Sequence, residues 1–145
     1  MEEIELTVIQ LIKRAHDKLE SAKILLKEGR FDDAISRVYY SAFYAARALL
    51  LLLGVQVKTH EDLLSMFGLK VIKQGILSKE IGKYLSELHD ARMNSDYSII
   101  VYYDEDDARE YITKAEKIIN VIKRVITERV QHRGVKSFDE FCTNL

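Results

Sequence analysis

The chain has 145 residues, of which 48% are hydrophobic and 31% charged, so it is long enough for one domain with a buried core. It contains no proline and only six glycines, which favours helices throughout. Its 22 basic residues are balanced by 23 acidic ones. This argues against a protein that coats duplex nucleic acid but allows a local basic site.

Cellular location is predicted from the cysteine content and the N-terminus. A single cysteine excludes an internal disulfide framework, and the acidic start Met-Glu-Glu-Ile-Glu does not resemble a targeting segment. The longest apolar stretch, residues 38–57, is interrupted by Ser41 and Arg47. We therefore expect a cytoplasmic protein without a membrane span.

Hydrophobic residues repeat at helical spacing along most of the chain and predict five helices. We expect an all-α, up-down bundle of four to five helices over residues 1–133, followed by a C-terminal tail at 134–145. Glycines at 29, 54 and 75 end the first three helices. The predicted helices run from about Glu5 to Glu28, Asp32 to Leu53, His60 to Gln74, Ser78 to Ser95, and Asp104 to the residues before Gly134.

Polar residues at the predicted helix starts are typical of caps. Asp32 is the predicted N-cap of the second helix, and Thr59 with Asp62 resembles a capping box that opens the third. The acidic run 104–107 suits the start of the fifth helix, where the helix dipole favours negative charge. Residues 97–103 are rich in strand-preferring types, and we predict an extended connection there.

The second helix carries a polar, aromatic-lined stripe on an otherwise apolar surface. One side bears Val38, Ala42, Ala45 and Leu49, and the other bears Arg37, Tyr40, Ser41, Tyr44 and Arg47. Such a helix belongs in the middle of a bundle, where the stripe must be paired or face a cleft. Arg37 and Arg47 either form a basic patch for nucleotide phosphate and base or pair with nearby carboxylates.

Arg92 ends a core-directed stripe on the fourth helix that contains Ile81, Leu85 and Leu88. Two interpretations of Arg92 are open. Its guanidinium either pairs with Asp96, one helical turn further on, or is held at a cleft to bind a phosphate or carboxylate.

The histidines do not predict a metal site. No two of them are four residues apart, no cysteine accompanies them, and His16 and His89 look isolated on charged helix faces. Glycine-rich phosphate loops are also missing, so we expect no cofactor. His60, beside Lys58 and Thr59, either begins an ordinary capped helix or contributes to an anion site.

Two segments together resemble the HEPN domains (higher eukaryotes and prokaryotes nucleotide-binding). The first is residues 29–50, with the core Tyr-Tyr-Ser-Ala-Phe-Tyr-Ala-Ala-Arg at 39–47. The second is Arg92-Met-Asn-Ser-Asp-Tyr97, which follows Lys58-Thr-His60 and Phe67 in the order seen in one prokaryotic branch. The resemblance extends over residues 12–126.

The resemblance implies a helical bundle that dimerises and is often encoded beside a minimal nucleotidyltransferase, as the toxin of a toxin–antitoxin pair. It also implies that active members are metal-independent endoribonucleases with an Arg-x(4–6)-His motif. Arg92 matches the arginine of that motif, but Tyr97, Ser98 and Ile99 stand where the histidine would be. Histidine is the side chain best suited to move the 2′-hydroxyl proton near neutral pH, so efficient cleavage is not expected.

The predicted function is therefore a homodimeric module that binds nucleotide or RNA and partners a minimal nucleotidyltransferase. The predicted binding residues are Arg37, Tyr40, Tyr44, Arg47, Arg92 and Asn94. The alternative is a metal-independent endoribonuclease toxin whose divergent site contains Arg92, Asp96, Tyr97 and His60. A third possibility is an interaction protein in which the tyrosine stripe forms the dimer core.

Overall fold

The computed structural model describes residues 3–97 and 102–132, and helices make up most of them. The helices are α1 (Glu3–Lys27), α2 (Phe31–Leu52), α3 (His60–Phe67), α4 (Lys79–Tyr97) and α5 (Glu105–His132), with a π-helical turn (Gly68–Ile72) that continues α3. The predicted all-α bundle is confirmed. The predicted tail at 134–145 and most of the predicted connection between α4 and α5 lie outside the described residues.

Helix α2 is the central helix of the bundle, because it packs against α1, α3, α4 and α5. Its predicted apolar side is fully buried, as are Tyr39 and Leu50. Alanines at 42, 45, 46 and 48 let neighbouring helices approach closely. The prediction that Ser41 belongs to the polar stripe is wrong. Ser41 is fully buried, and its hydroxyl donates to the Val38 carbonyl at 2.6 Å, which satisfies it inside the core.

The turn between α1 and α2 shows why one predicted cap is wrong. Gly29 has φ +76°, and the Arg30 N–H donates to the Leu25 carbonyl at 2.8 Å, as in a Schellman turn. Helix α2 then begins at Phe31, with Arg30 as an N-cap that has no side-chain bond. Asp32 therefore lies in the first turn, where its carboxylate accepts the Tyr103 N–H at 3.4 Å.

The predicted starts of α3 and α5 are confirmed. The Thr59 hydroxyl accepts the Asp62 N–H at 3.0 Å at the start of α3. Asp104 and Asp107 exchange hydrogen bonds of 2.8 and 3.0 Å between carboxylate and backbone N–H at the start of α5.

The third helix is shorter than the sequence predicts, because its α-helical part ends at Phe67 rather than at Gln74. In the π turn that follows, the Lys73 N–H donates to the Gly68 carbonyl, five residues back, at 2.9 Å. Ile72 of this turn packs against Gly82 of α4, where an added Cβ would lie 3.0 Å from Cγ1 of Ile72. Within the described ranges, no helix combines the length and apolar character needed to span a bilayer.

Candidate functional site

Arg92 of α4 reaches the aromatic side of α2. Its guanidinium carbon lies 4.8 Å from the ring centroid of Tyr40 and 5.6 Å from that of Tyr39, within cation–π range. The Arg92 side chain is only 14% exposed. Arg92 of α4 and Tyr40 of α2 therefore lie in contact with each other.

The ion pair between Arg92 and Asp96 is also present. Nε of Arg92 lies 3.1 Å from a carboxylate oxygen of Asp96. The Nε atom is nevertheless buried without a hydrogen-bond acceptor among the described residues, because its N–H does not point at that oxygen. Asp96 thus offsets the charge of Arg92 without using this donor, so the ion pair and the anion-binding interpretation are compatible.

His60, the first residue of α3, lies against the same part of α2. Its ring centroid is 4.5 Å from that of Phe43 and 6.0 Å from that of Tyr40. Its Nδ1 atom is 2.7 Å from the hydroxyl of Tyr39. The sequence leaves open whether His60 reaches Arg92. It does approach it, because both residues lie against the Tyr40 ring of α2.

His89 corrects another expectation. The sequence predicts an isolated position on a charged face, but the His89 ring lies edge-on to Tyr39 with the centroids 5.6 Å apart. The side chain is 16% exposed, and Nδ1 lies 3.5 Å from a carboxylate oxygen of Asp90. One face of α4 thus presents both His89 and Arg92 to α2. We call Arg92, Tyr39, Tyr40, His60 and His89 the Arg92 cluster.

The electrostatic environment keeps His60 neutral. Burial lowers the pKa of His60, and the charge of Arg92 lowers it further, while Glu61 opposes them. Burial raises the pKa of the Tyr39 hydroxyl well above its usual range, although Arg92 acts in the opposite direction. At neutral pH the cluster therefore holds one guanidinium, a neutral imidazole at position 60 and a protonated phenol at position 39.

The remaining predicted binding residues lie around this cluster rather than in it. The Tyr44 ring is 6.5 Å from that of Tyr40 and is covered by Arg14, whose guanidinium carbon is 5.8 Å from its centroid. Arg47 is exposed and lines a hollow of about 230 Å³ with Lys58. Arg37 is exposed one turn before Tyr40. Neither Arg37 nor Arg47 forms an ion pair within the described parts of the chain.

Asn94 and Tyr97 lie in the last turn of α4. The Asn94 side-chain amide donates to the Tyr103 hydroxyl at 3.4 Å, so it links the end of α4 to the start of α5. Tyr97 is the last residue of α4, and its side chain lies outside the described part of the structure.

Sequence reasoning missed Tyr39, Phe43 and His89 as members or neighbours of this site. Tyr39 is fully buried and falls between the two stripes of α2, so periodicity alone assigns it to the core. Its role depends on a hydrogen bond to a residue 21 positions away. The adjacent pair Tyr39-Tyr40 was the available signal, because a buried phenol needs a hydrogen-bond partner.

Comparisons with known proteins identify the family. The HEPN domain model matches residues 8–125, and the chain therefore belongs to the HEPN domain family. A UPF0332 protein of Thermotoga maritima is 34% identical over 80% of this chain and 88% of its own length. Two proteins of Methanocaldococcus jannaschii named as putative toxins are 32% and 31% identical, over 81% and 83% of this chain and 87% and 82% of their own lengths.

Solved structures share the fold. A protein from Thermus thermophilus superposes with a TM-score of 0.70 at 18% identity, covering 81% of this chain and 97% of that one. An archaeal HEPN homologue superposes with a TM-score of 0.63 at 24% identity, covering 86% and 99%.

Proposed function

We propose that this protein is the toxin of a toxin–antitoxin-type pair and that it binds RNA, or the phosphates of a nucleotide, at the Arg92 cluster. The observation that carries the proposal is the guanidinium of Arg92 held over Tyr40, with His60 against the same ring. The relatives named as putative toxins support the biological role.

The chemistry of the cluster suits a phosphate with an attached base. A guanidinium pairs well with phosphate oxygens, and aromatic faces stack on nucleobases. Tyr40, Phe43 and Tyr44 lie side by side along α2, with neighbouring ring centroids 5.7 to 6.5 Å apart. Arg14 of α1 and Arg47 of α2 add positive charge near these rings, and this charge can bind further phosphates of an RNA backbone.

RNA binding is tested with a fluorescently labelled single-stranded RNA of about 12 nucleotides, within the length that single-stranded sites cover. Loss of charge-assisted hydrogen bonds in Arg92→Ala should weaken binding about tenfold or more, and Arg92→Lys should recover only part of it. Arg109→Ala is the matched control. Arg109 also pairs with a carboxylate one turn away, Glu105, but it is 62% exposed.

Equal affinity of the wild type and Arg92→Ala, with helicity unchanged by circular dichroism, would remove the cluster as the RNA site. Transfer RNA as a second probe tests whether a folded RNA is preferred.

The proposed assembly is a homodimer that partners a minimal nucleotidyltransferase, on the basis of family resemblance. Light scattering after size exclusion should give about twice the monomer mass of 16.8 kDa. Co-expression with a nucleotidyltransferase encoded beside this gene should give a complex that survives purification. A monomer at all concentrations, or no co-purification, would contradict the corresponding part of the proposal.

The second candidate function is a metal-independent endoribonuclease, and the position of His60 favours it. The family motif would place a histidine after residue 96, where this chain has none. His60 instead brings an imidazole close to Arg92. Arg92 would hold the scissile phosphate while the imidazole takes part in proton transfer.

Cleavage is tested with transfer and messenger RNA in EDTA. Cutting by the wild type, lost in both Arg92→Ala and His60→Ala, would support the enzyme. His16→Ala serves as the histidine control, because His16 lies on α1 near Lys123 of α5. If the RNA is bound with full affinity but stays uncut, the protein is a binding module without nuclease activity.

A further inference from the structure

We infer that Tyr39 is a positioning residue that fixes His60 as a hydrogen-bond donor, so that His60 Nε2–H and the Arg92 guanidinium bind one phosphoryl group together. The inference rests on the proposed function, since it names a second protein ligand for the phosphate at that site. It concerns binding and does not require cleavage.

The first step is the hydrogen bond between Tyr39 and His60. Tyr39 is fully buried, and its hydroxyl lies 2.7 Å from Nδ1 of His60. No other hydrogen bond of this hydroxyl occurs within the described residues. A buried hydroxyl must place its proton on an acceptor, and the neighbouring guanidinium of Arg92 can only donate.

The second step is the tautomer of His60. Burial raises the pKa of the Tyr39 hydroxyl, so the phenol keeps its proton. If Nδ1 carried the imidazole proton and donated it to the phenol, the phenolic proton would be left in the core without an acceptor. The arrangement that satisfies both groups has the Tyr39 hydroxyl donating to Nδ1 and the imidazole proton on Nε2.

The third step is the availability of Nε2–H. The His60 side chain is half-buried, and Nε2 makes no hydrogen bond to a described residue. It is not among the buried polar atoms that lack a partner, so it is open to a ligand. A neutral donor also suits the location, because a second full positive charge beside Arg92 is unfavourable until an anion binds.

The last step is the shared position of the two donors. Arg92 and His60 lie against the same Tyr40 ring. The guanidinium carbon of Arg92 is 4.8 Å from the centroid of that ring, and the centroid of the His60 ring is 6.0 Å from it. The charge of Arg92 is close enough to His60 to lower the pKa of the imidazole. The titratable and charged groups around His60 are Tyr39 and Tyr40 on α2, His89 and Arg92 on α4, and Glu61 on α3 itself.

Two amide substitutions test which nitrogen binds the ligand. The side-chain amide of glutamine can reproduce a donor at Nε2, whereas that of asparagine corresponds to Nδ1. With the same labelled RNA, His60→Gln should bind within about threefold of the wild type, and His60→Asn should lose about tenfold. Equal losses in the two variants, or no loss in either, would overturn the inference.

The tautomer is measured directly on the wild-type protein by ¹⁵N NMR of the His60 ring. The inference predicts an unprotonated, hydrogen-bonded Nδ1 and a protonated Nε2 at about pH 7.5, above the ordinary histidine pKa. Tyr39→Phe keeps the ring but removes the hydroxyl, and it should give a mixture of tautomers and RNA binding weaker by about fivefold. A wild-type spectrum with the proton on Nδ1 would overturn the inference, whether or not the variants fold.

Failure of this inference is distinguishable from failure of the proposed function. If Arg92→Ala loses RNA binding while all His60 variants keep it, the site stands and the role of His60 is wrong. If Arg92→Ala binds RNA normally, both are wrong.

Discussion

Two clusters in this bundle place cations over tyrosine rings, but they differ in how the positive charge is balanced. Between α4 and α5, Lys114 lies over Tyr84 and Tyr111, with Nζ 5.4 and 5.6 Å from their ring centroids, and Lys117 also lies over Tyr84. We call this the lysine cluster.

Both cations of the lysine cluster are paired with carboxylates. Lys114 pairs with Glu87 at 2.7 Å and with Glu110 at 3.1 Å, and Lys117 pairs with Glu80. In the Arg92 cluster, Asp96 pairs with a guanidinium that keeps an unused buried donor, and Asp90 lies 3.5 Å from one of the two imidazoles. An aromatic ring with a cation above it therefore does not define an anion site. What indicates an anion site is the balance of nearby charge together with hydrogen-bond donors that have no acceptor.

The largest expected effect comes from Leu88→Ala, because α4 carries residues of both clusters. Leu88 is fully buried. Its neighbours in the sequence belong to or contact the two clusters, Glu87 to the lysine cluster and His89 to the Arg92 cluster. The variant should lose about 2–5 kcal/mol in the free energy of unfolding, measured by urea denaturation. Ser86→Ala, an exposed change on the same helix, is the control. A loss below about 1 kcal/mol would mean that α4 is not packed as described.

Lys114→Ala separates the two clusters. Its side chain is 18% exposed and its removal leaves Glu87 and Glu110 without this partner, so the free energy of unfolding should fall by about 1 kcal/mol. RNA binding should be unchanged. If this variant loses RNA affinity as Arg92→Ala does, binding follows general surface charge and the contrast between the clusters fails.

Changing the pH should affect the Arg92 cluster through His60. The pKa of His60 is lowered in the folded state, so the folded protein binds fewer protons than the unfolded chain below about pH 6.5. The free energy of unfolding should thus decrease as the pH falls from about 7 through the folded-state pKa. His16, whose pKa is also lowered by burial, acts in the same direction.

The matching measurement is urea denaturation between about pH 5 and 8 for the wild type and His60→Gln. The variant should show a shallower decrease below about pH 6.5. Identical profiles for the two proteins would contradict a neutral, buried His60.

Asp96→Asn has the smallest expected effect. Asp96 competes with a bound anion for Arg92, so neutralising it should strengthen RNA binding by about two- to threefold. The side chains are partly exposed, and stability should change by less than about 1 kcal/mol. Weaker RNA binding by this variant would show instead that Asp96 orients Arg92 for the ligand.

The helices of this fold were predictable because local chemistry determines them. Gly29, Thr59 and the Asp104–Asp107 pair end or begin helices through bonds to residues within five positions. The π turn was not predicted, and its Ile72 packs against Gly82 of α4, a contact between elements that local patterns do not specify. Asp32 was misassigned because its partner, Tyr103, is 71 residues away.

The candidate site was predictable only in part, for the same reason. Helical spacing placed Arg92 and Tyr40 on surfaces that could meet. It did not place His60 or His89, because their positions depend on how α3 and α4 pack on α2. The hydrogen bond of Tyr39 likewise required a contact that no local pattern specifies.

The most direct test is an NMR titration that follows arginine Nε–H resonances as unlabelled RNA is added. The Nε–H of Arg92 is buried and should be protected from exchange, whereas Arg109 is exposed. The account predicts a large, saturable shift of the Arg92 signal and little change at Arg109. An unmoved Arg92 signal in a saturated complex, or equal shifts at both arginines, would contradict it.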